Sequence, residues 1–151
     1  MRPGSDATGG GDTSGAVALS GTGNYDPQGS DTHGDTAPNA TDGNAGTFWY
    51  TQTYATPDFG GLMPGLGLVL KAGRPVKLAS LTVTTSTPGF TAEVLAGDSL
   101  GTQPPADSAS QNVTGRTTFT LHGATARYYV LWITKLPPGG VARVNEVTAH
   151  S

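Results

Sequence analysis

Residues 39 to 51 read NATDGNAGTFWYT and gather Asp42, Gly43, Asn44 and Thr47 just ahead of Trp49. Two chemistries fit that spacing. Asp42-Gly43-Asn44 makes a turn, because an aspartate caps its own following backbone and glycine accepts a positive φ. A tight turn also aims carbonyls inward, so the Asp42 carboxylate, a carbonyl near Asn44 and the Thr47 oxygens can converge on one cation. Calcium takes about 6–8 hard oxygens at about 2.3–2.6 Å, and flexible loops with few carboxylates can supply them. An EF-hand is excluded, since its alternating aspartates and terminal glutamate are missing. Such a site needs a donor from a distant segment, and Glu146 is one of only two glutamates in the chain.

A second stretch, GDSLG at 97–101, fits G-x-S-x-G, and its first four letters resemble the signature of GDSL-type esterases. A nucleophile elbow needs a strand-to-helix turn, with a histidine and an acid elsewhere. Ser99 is followed by TQPPADSASQ, which cannot start a helix of useful length, and none of His33, His122 and His150 sits in a D-x-x-H pattern. The stretch reads as a hairpin loop, and no enzymatic activity is expected. GLG at 65–67 is a fragment of a dinucleotide fingerprint without its βαβ context. Asn39-Ala-Thr41 and Asn112-Val-Thr114 fit the N-glycosylation pattern, as chance allows in a chain so rich in Thr and Ser.

The elements that position these residues are strands. The 151 residues amount to one domain. Gly 23 and Pro 11 interrupt helices, while abundant threonine favours a pleated surface. Net charge is −3 and unevenly placed: between Pro3 and Leu70 there is no Lys, Arg or Glu, but seven aspartates from Asp6 to Asp58. No basic stripe exists, so nucleic acid is excluded as a partner. With zero Cys, disulfides and thiolate chemistry are excluded. No apolar run approaches the ~20 residues of a membrane span, so any membrane anchor of a parent protein lies outside this stretch.

Residues 1–16 are Gly, Ser, Thr and Asp with little to bury, as in a flexible tether or an expression remnant, and the folded domain is expected over 17–151. The chain is loop-rich to about residue 65, then strands follow at 66–72, 76–86, 90–97, 116–123, 126–134 and 141–150. Their inward sets are Val76, Leu78, Leu81 and Val83; Phe90, Ala92, Val94 and Ala96; Phe119 and Leu121; and Val141, Val144 and Val147. A bulge is expected near Ser80, and the dense 126–134 run reads as a central strand. Short strands with Gly- or Pro-bearing gaps predict an all-β sandwich.

The pattern A-x-D-G-x-x-x-T-x-W, as Ala40, Asp42, Gly43, Thr47 and Trp49, resembles the discoidin, or coagulation factor 5/8 type C, domains. It is similar also to carbohydrate-binding modules of the galactose-binding-like superfamily. The resemblance continues through GLGLVLKAGRPVKLASLTVTT and ends in ARYYVLWIT…VARVNEVTAH, covering residues 18 to 149. More narrowly, YDPQGSD…DG…T.W.T..Y with YYVLWIT looks like the extracytoplasmic C-terminal domains of actinobacterial Ser/Thr kinases and lipid II flippase-like membrane proteins. The resemblance implies a jelly-roll β-sandwich of about eight antiparallel strands and a structural calcium ion. Carried over position by position, the ion's ligands fall on Asn39, Asp42, Asn44, Thr47 and the pair Asn145-Glu146. The competing reading is that Asp42 and Glu146 only hydrogen-bond the loops, with water or sodium in place of calcium. Animal discoidin domains join their termini with a Cys pair, which this chain lacks, as bacterial members commonly do.

Ligand contacts on such a scaffold come from loops. The candidates are Tyr25, His33, Tyr50, Tyr54 and Phe59 in the long loop half, and Arg143 near the last strand. Aromatic faces stack on sugar C–H groups, and arginine holds hydroxyls. For each aromatic the alternative is burial, and Trp49 and Trp132 are assigned to the core. The expectation is a monomeric, non-catalytic binding or sensing module outside the cell, within a larger membrane protein. Its partner would be a carbohydrate or cell-wall glycan. The alternative is a structural or protein-interaction domain of a membrane-anchored kinase or transporter with no small ligand.

Overall fold

The computed structural model describes residues 16–25, 34–58, 65–100 and 103–151. Their strands are β1 (Ala16–Val17), β2 (Ser20–Tyr25), β3 (Trp49–Tyr50), β4 (Leu66–Lys77), β5 (Ser80–Thr84), β6 (Thr91–Gly97), β7 (Gln111–Asn112), β8 (Arg116–Thr120), β9 (Thr125–Lys135), β10 (Arg143–Val144) and β11 (Glu146–His150). One sheet runs β1-β11-β5-β8 and the other β2-β4-β9-β6-β7, with β3 and β10 paired by themselves. All the pairings are antiparallel. The layers form the all-β sandwich that the alternating runs predict, with the jelly-roll form that the resemblance implies. A single 3-10 segment, Gly34–Ala40, is the helical structure among the described residues.

Alternation builds the core. Leu66, Leu68 and Leu70 of β4, Tyr129, Leu131 and Ile133 of β9, and Ala92, Val94 and Ala96 of β6 share one buried cluster with Leu81 and Val83 of β5, Phe119 of β8, and Val147 and Ala149 of β11. Each fully buried Leu, Val or Phe side chain contributes roughly 1.5–3 kcal/mol. β9 lies at the centre of the five-stranded sheet, with Leu131 opposite Leu68 on one side and Val94 on the other. That is the place predicted by its apolar density.

Three boundaries differ from the sequence reading. β4 continues from 66 to 77 with an irregularity between Lys71 and Val76, where Gly73 adopts φ 76°. Residues 76–77 therefore belong to β4, and the break falls at Leu78–Ala79 instead of a bulge at Ser80 inside one strand. The closing run divides at Asn145 into β10, which pairs with β3, and β11, which pairs with β5. In that run Ala142 is fully buried, whereas Val141 is half-buried.

Trp132 is buried, but outside the main core. With Leu95 and Val130 it forms a second cluster on the outer face of the five-stranded sheet, packed by Tyr25 and Leu100. The glycines of GLG make room for it. A Cβ on Gly65 would lie 2.6 Å from the Trp132 ring, and one on Gly67 2.3 Å from Val130 Cγ1. Their role is close packing of backbone against side chains.

Candidate functional site

The chain from the end of the 3-10 segment to β3 winds around one hydroxyl. Thr47 Oγ1 lies 2.5 Å from Asp42 Oδ2, 3.0 Å from the Asn44 carbonyl and 3.4 Å from the Asn39 carbonyl. A hydroxyl donates only one proton, so these acceptors outnumber what it can serve. The loop shape is set locally: the Asn44 N–H donates to Asp42 Oδ1 (2.9 Å), the Gly46 N–H to Asn44 Oδ1 (2.8 Å), and Gly43 takes φ 75°. Trp49 anchors the exit, fully buried, with its indole N–H donating to Asn24 Oδ1 (2.6 Å).

The end of β10 and the start of β11 face this loop. Asn145, 9% exposed, donates from Nδ2 to the Ala45 carbonyl (2.9 Å) and accepts at Oδ1 from the Ser86 N–H (2.9 Å). Both ends of its amide are thus engaged, Nδ2 bracing the loop and Oδ1 taking one bond from the Ser86 segment. Glu146 follows. Burial, then the nearby Asp42 charge, push its carboxyl above the ordinary range, while a hydrogen bond from Gly43 pulls it back. The Thr47 hydroxyl and the Asn44 N–H hold Asp42 below that range. Glu146 Oε1 is buried with no hydrogen-bond partner.

This arrangement fits a hard cation. Two carboxylates approach each other, one has an orphaned buried oxygen, and the neutral oxygens of Asn39, Asn44 and Thr47 crowd the same loop. No group of three or more His, Cys, Asp or Glu occurs among the described residues. The donors present are two carboxylates and neutral oxygens, the ligand type that hard cations take and softer transition metals do not favour.

Next to the loop is an aromatic and cationic surface. Phe48 and Tyr50 flank inward-facing Trp49, and their rings meet edge to face at 5.7 Å. Arg143, opposite Tyr50 in the β3–β10 pair, sets its guanidinium carbon 4.8 Å from the Phe48 ring centroid. Its backbone is clamped: the Arg143 N–H donates to Thr87 Oγ1 (2.9 Å), and Thr85 Oγ1 donates to the Arg143 carbonyl (2.5 Å). The guanidinium is exposed and both rings are half-buried.

Of the six candidate ligand residues, the structure brings Tyr50 and Arg143 together. Tyr25 lies elsewhere, edge to face on Trp132 at 5.8 Å. Tyr54 lines a separate cleft of about 250 Å³ with Pro57, Pro137 and Pro138. It is tied there by its N–H to the Gly140 carbonyl (2.8 Å). Gly140 is required at that contact, with φ 78° and space for a Cβ only 2.0 Å from the Tyr54 carbonyl oxygen. His33 and Phe59 lie outside the described residues. Phe48 was missed, although its place directly before β3, next to buried Trp49, leaves it half-buried at the surface. Ser99 is exposed in the loop after β6.

No family model and no curated relative matches the sequence. Solved structures do match. CBM32-3 from a family 31 glycoside hydrolase of Clostridium perfringens aligns with TM-score 0.68 at 12% identity, over 91% of this chain and 95% of that one. Chitosan-binding module 1 of a chitosanase/glucanase from Paenibacillus sp. IK-5 gives 0.66 at 14%, over 90% and 98%. The family 32 module of C. perfringens NanJ, solved in complex with galactose, gives 0.59 at 20%, over 90% and 98%. The fold is that of the family 32 carbohydrate-binding modules. This is the kind of β-sandwich that the resemblance implies, and the likeness spans nearly the whole of the modules compared.

Proposed function

We propose that this domain is a non-catalytic module that binds a carbohydrate through Phe48, Tyr50 and Arg143, with calcium in the Asp42–Glu146 loop as structural support. The observation that carries the reading is the guanidinium stacked over Phe48 beside a second ring. A sugar offers C–H faces to aromatic rings and hydroxyls to arginine donors. The clamp on the Arg143 backbone and the ring beneath its side chain hold the donors in place beforehand, which lowers the entropy lost on binding. Tyr54, beside a neighbouring cleft, would contact a longer chain.

Asn39, Asp42, Asn44, Thr47 and Glu146 would hold the ion. It would supply positive charge between two carboxylates, and the Glu146 carboxyl would then carry its negative charge without penalty. The acidic, hydroxyl-rich chain and its Gly/Ser/Thr leader support display outside the cell on a larger membrane protein, with a cell-wall glycan as the natural ligand. Phe48, Tyr50 and Arg143 come from one chain, which supports a monomer.

Calorimetric titration of galactose, chitosan oligomers and cell-wall glycan fragments tests the reading. At least one is expected to bind, and Arg143→Ala to weaken it by about tenfold, the effect of losing about 1.4 kcal/mol, with the melting temperature unchanged. Absence of binding to all of these, together with self-association or capture by an attached domain, would favour a structural role.

A further inference from the structure

We infer that the cation loop and the Phe48–Tyr50–Arg143 surface are one clasp, with Asn145 as its positioning residue, so that calcium binding tightens sugar binding. This rests on the cation and glycan readings above and adds a coupling that neither contains.

Both sites are built from the same two short segments. Thr47 belongs to the loop, and Phe48 and Tyr50 follow it directly. Arg143 belongs to the surface, and Asn145 and Glu146 follow it. Asn145 joins the segments across the gap, from its Nδ2 to the Ala45 carbonyl between Asn44 and Thr47 (2.9 Å). Its other contacts are to a third segment. The Asn145 N–H donates to the Thr84 carbonyl (2.8 Å), and Oδ1 accepts from the Ser86 N–H (2.9 Å). Thr85 and Thr87 on that same segment clamp Arg143. Residues 84–87 are thus a rail that carries both the arginine and the brace.

Residues 42–46 are exposed and shaped by their own hydrogen bonds, and the contacts from Asn145 and Glu146 tie this loop to the opposite segment. A cation that draws Asp42 and Glu146 together restrains it further and, through Thr47 and Asn145, orders Phe48 under Arg143. Coupling of this kind is reciprocal and commonly about 5- to 150-fold.

The test uses CaCl2 alone first. NMR signals of the Arg143 Nε–H and of the Phe48 and Tyr50 rings are followed during titration, and galactose affinity is then measured with CaCl2 and with EDTA. Expected are shifts at all three residues and a galactose affinity at least fivefold tighter with calcium. In Asn145→Ala, calcium still raises the melting temperature, but the shifts and the fivefold gain disappear. Asn145→Ser, too short to reach Ala45, serves if the alanine variant does not fold. Persistence of the shifts in these variants overturns the inference, as does calcium binding to the wild type without them. Failure of calcium to bind at all removes the cation reading and this coupling together. Calcium shifts without galactose binding would count against galactose as the ligand while leaving the clasp in place.

Discussion

Glu146 and Asp107 each keep one carboxylate oxygen buried and without a hydrogen-bond partner, in contrasting surroundings. Asp107, 3% exposed, is sewn into backbone from three sides. Its N–H donates to the Val94 carbonyl (2.7 Å), its carbonyl accepts from His122 (2.7 Å), and Oδ1 accepts from the Ala124 N–H (3.2 Å). Its charge also reaches Tyr129, whose hydroxyl is pushed up first by burial and then by Asp107. Glu146 instead faces a second carboxylate, Asp42, and a loop of neutral oxygens. Asp107 is held by two backbone hydrogen bonds and one carboxylate bond and so ties neighbouring segments together, whereas the Glu146 carboxylate faces another carboxylate across an oxygen-rich turn, the setting that the proposed cation would neutralise.

The sharpest way to break this contrast is Asp107→Ala. It removes the carboxylate hydrogen bond to the Ala124 N–H and is expected to lower unfolding free energy by about 1–3 kcal/mol, by the same amount in calcium and in EDTA. A calcium-dependent loss would show that the Asp107 end also holds an ion. Calcium itself comes next. At a free concentration 100 times its dissociation constant, it should stabilise the wild type by about 2.7 kcal/mol. Asp42→Ala should abolish that gain and leave the melting temperature indifferent to chelator. Equal melts for the wild type with and without chelator would remove the cation.

The smallest effect distinguishes the two carboxylates by pH. In EDTA, Glu146 has a folded pKa above its unfolded value, so its contribution favours folding at low pH and is lost as pH rises through the raised value. Asp42 runs the other way: its pKa is depressed, so its stabilisation is present above the ordinary carboxylate range and is lost as pH falls through the depressed value. Glu146→Gln should therefore be slightly more stable than wild type near neutral pH in EDTA and less stable in calcium. Urea denaturation across pH 4 to 8, with and without calcium, checks the crossing, and a uniformly weaker variant would refute it.

Much of the scaffold was legible because burial of alternating residues is a local, period-two property. Phe90-Ala92-Val94-Ala96 and the dense run around Leu131 showed their inward faces directly. Boundaries were less legible. Gly73 and Pro75 look like a turn, yet β4 continues past them because Val76 and Lys77 find partners on β9. Asn145 reads as a strand residue, but the contacts that divide β10 from β11 come from Ser86 and Ala45, far away in sequence. Trp132 reads as core. Its actual place beyond the sheet depends on Gly65, just ahead of the neighbouring strand β4, whose missing side chain leaves room for the ring.

In the site, Asp42, Thr47 and Glu146 were visible as oxygen donors, because carboxylate and hydroxyl chemistry belongs to the residue. Their convergence was expected from the turn and the resemblance, but the occupied amide of Asn145 and the pairing of Arg143 with Phe48 and Tyr50 were not visible. Residue type and alternation by themselves determined an all-β sandwich with a low-charge turn ahead of a buried tryptophan. Only the tertiary structure decided which carboxylate lacks a partner and which arginine lies over a ring. Those facts depend on strands about a hundred residues apart meeting across β3 and β10, and no local pattern encodes a distance of that kind.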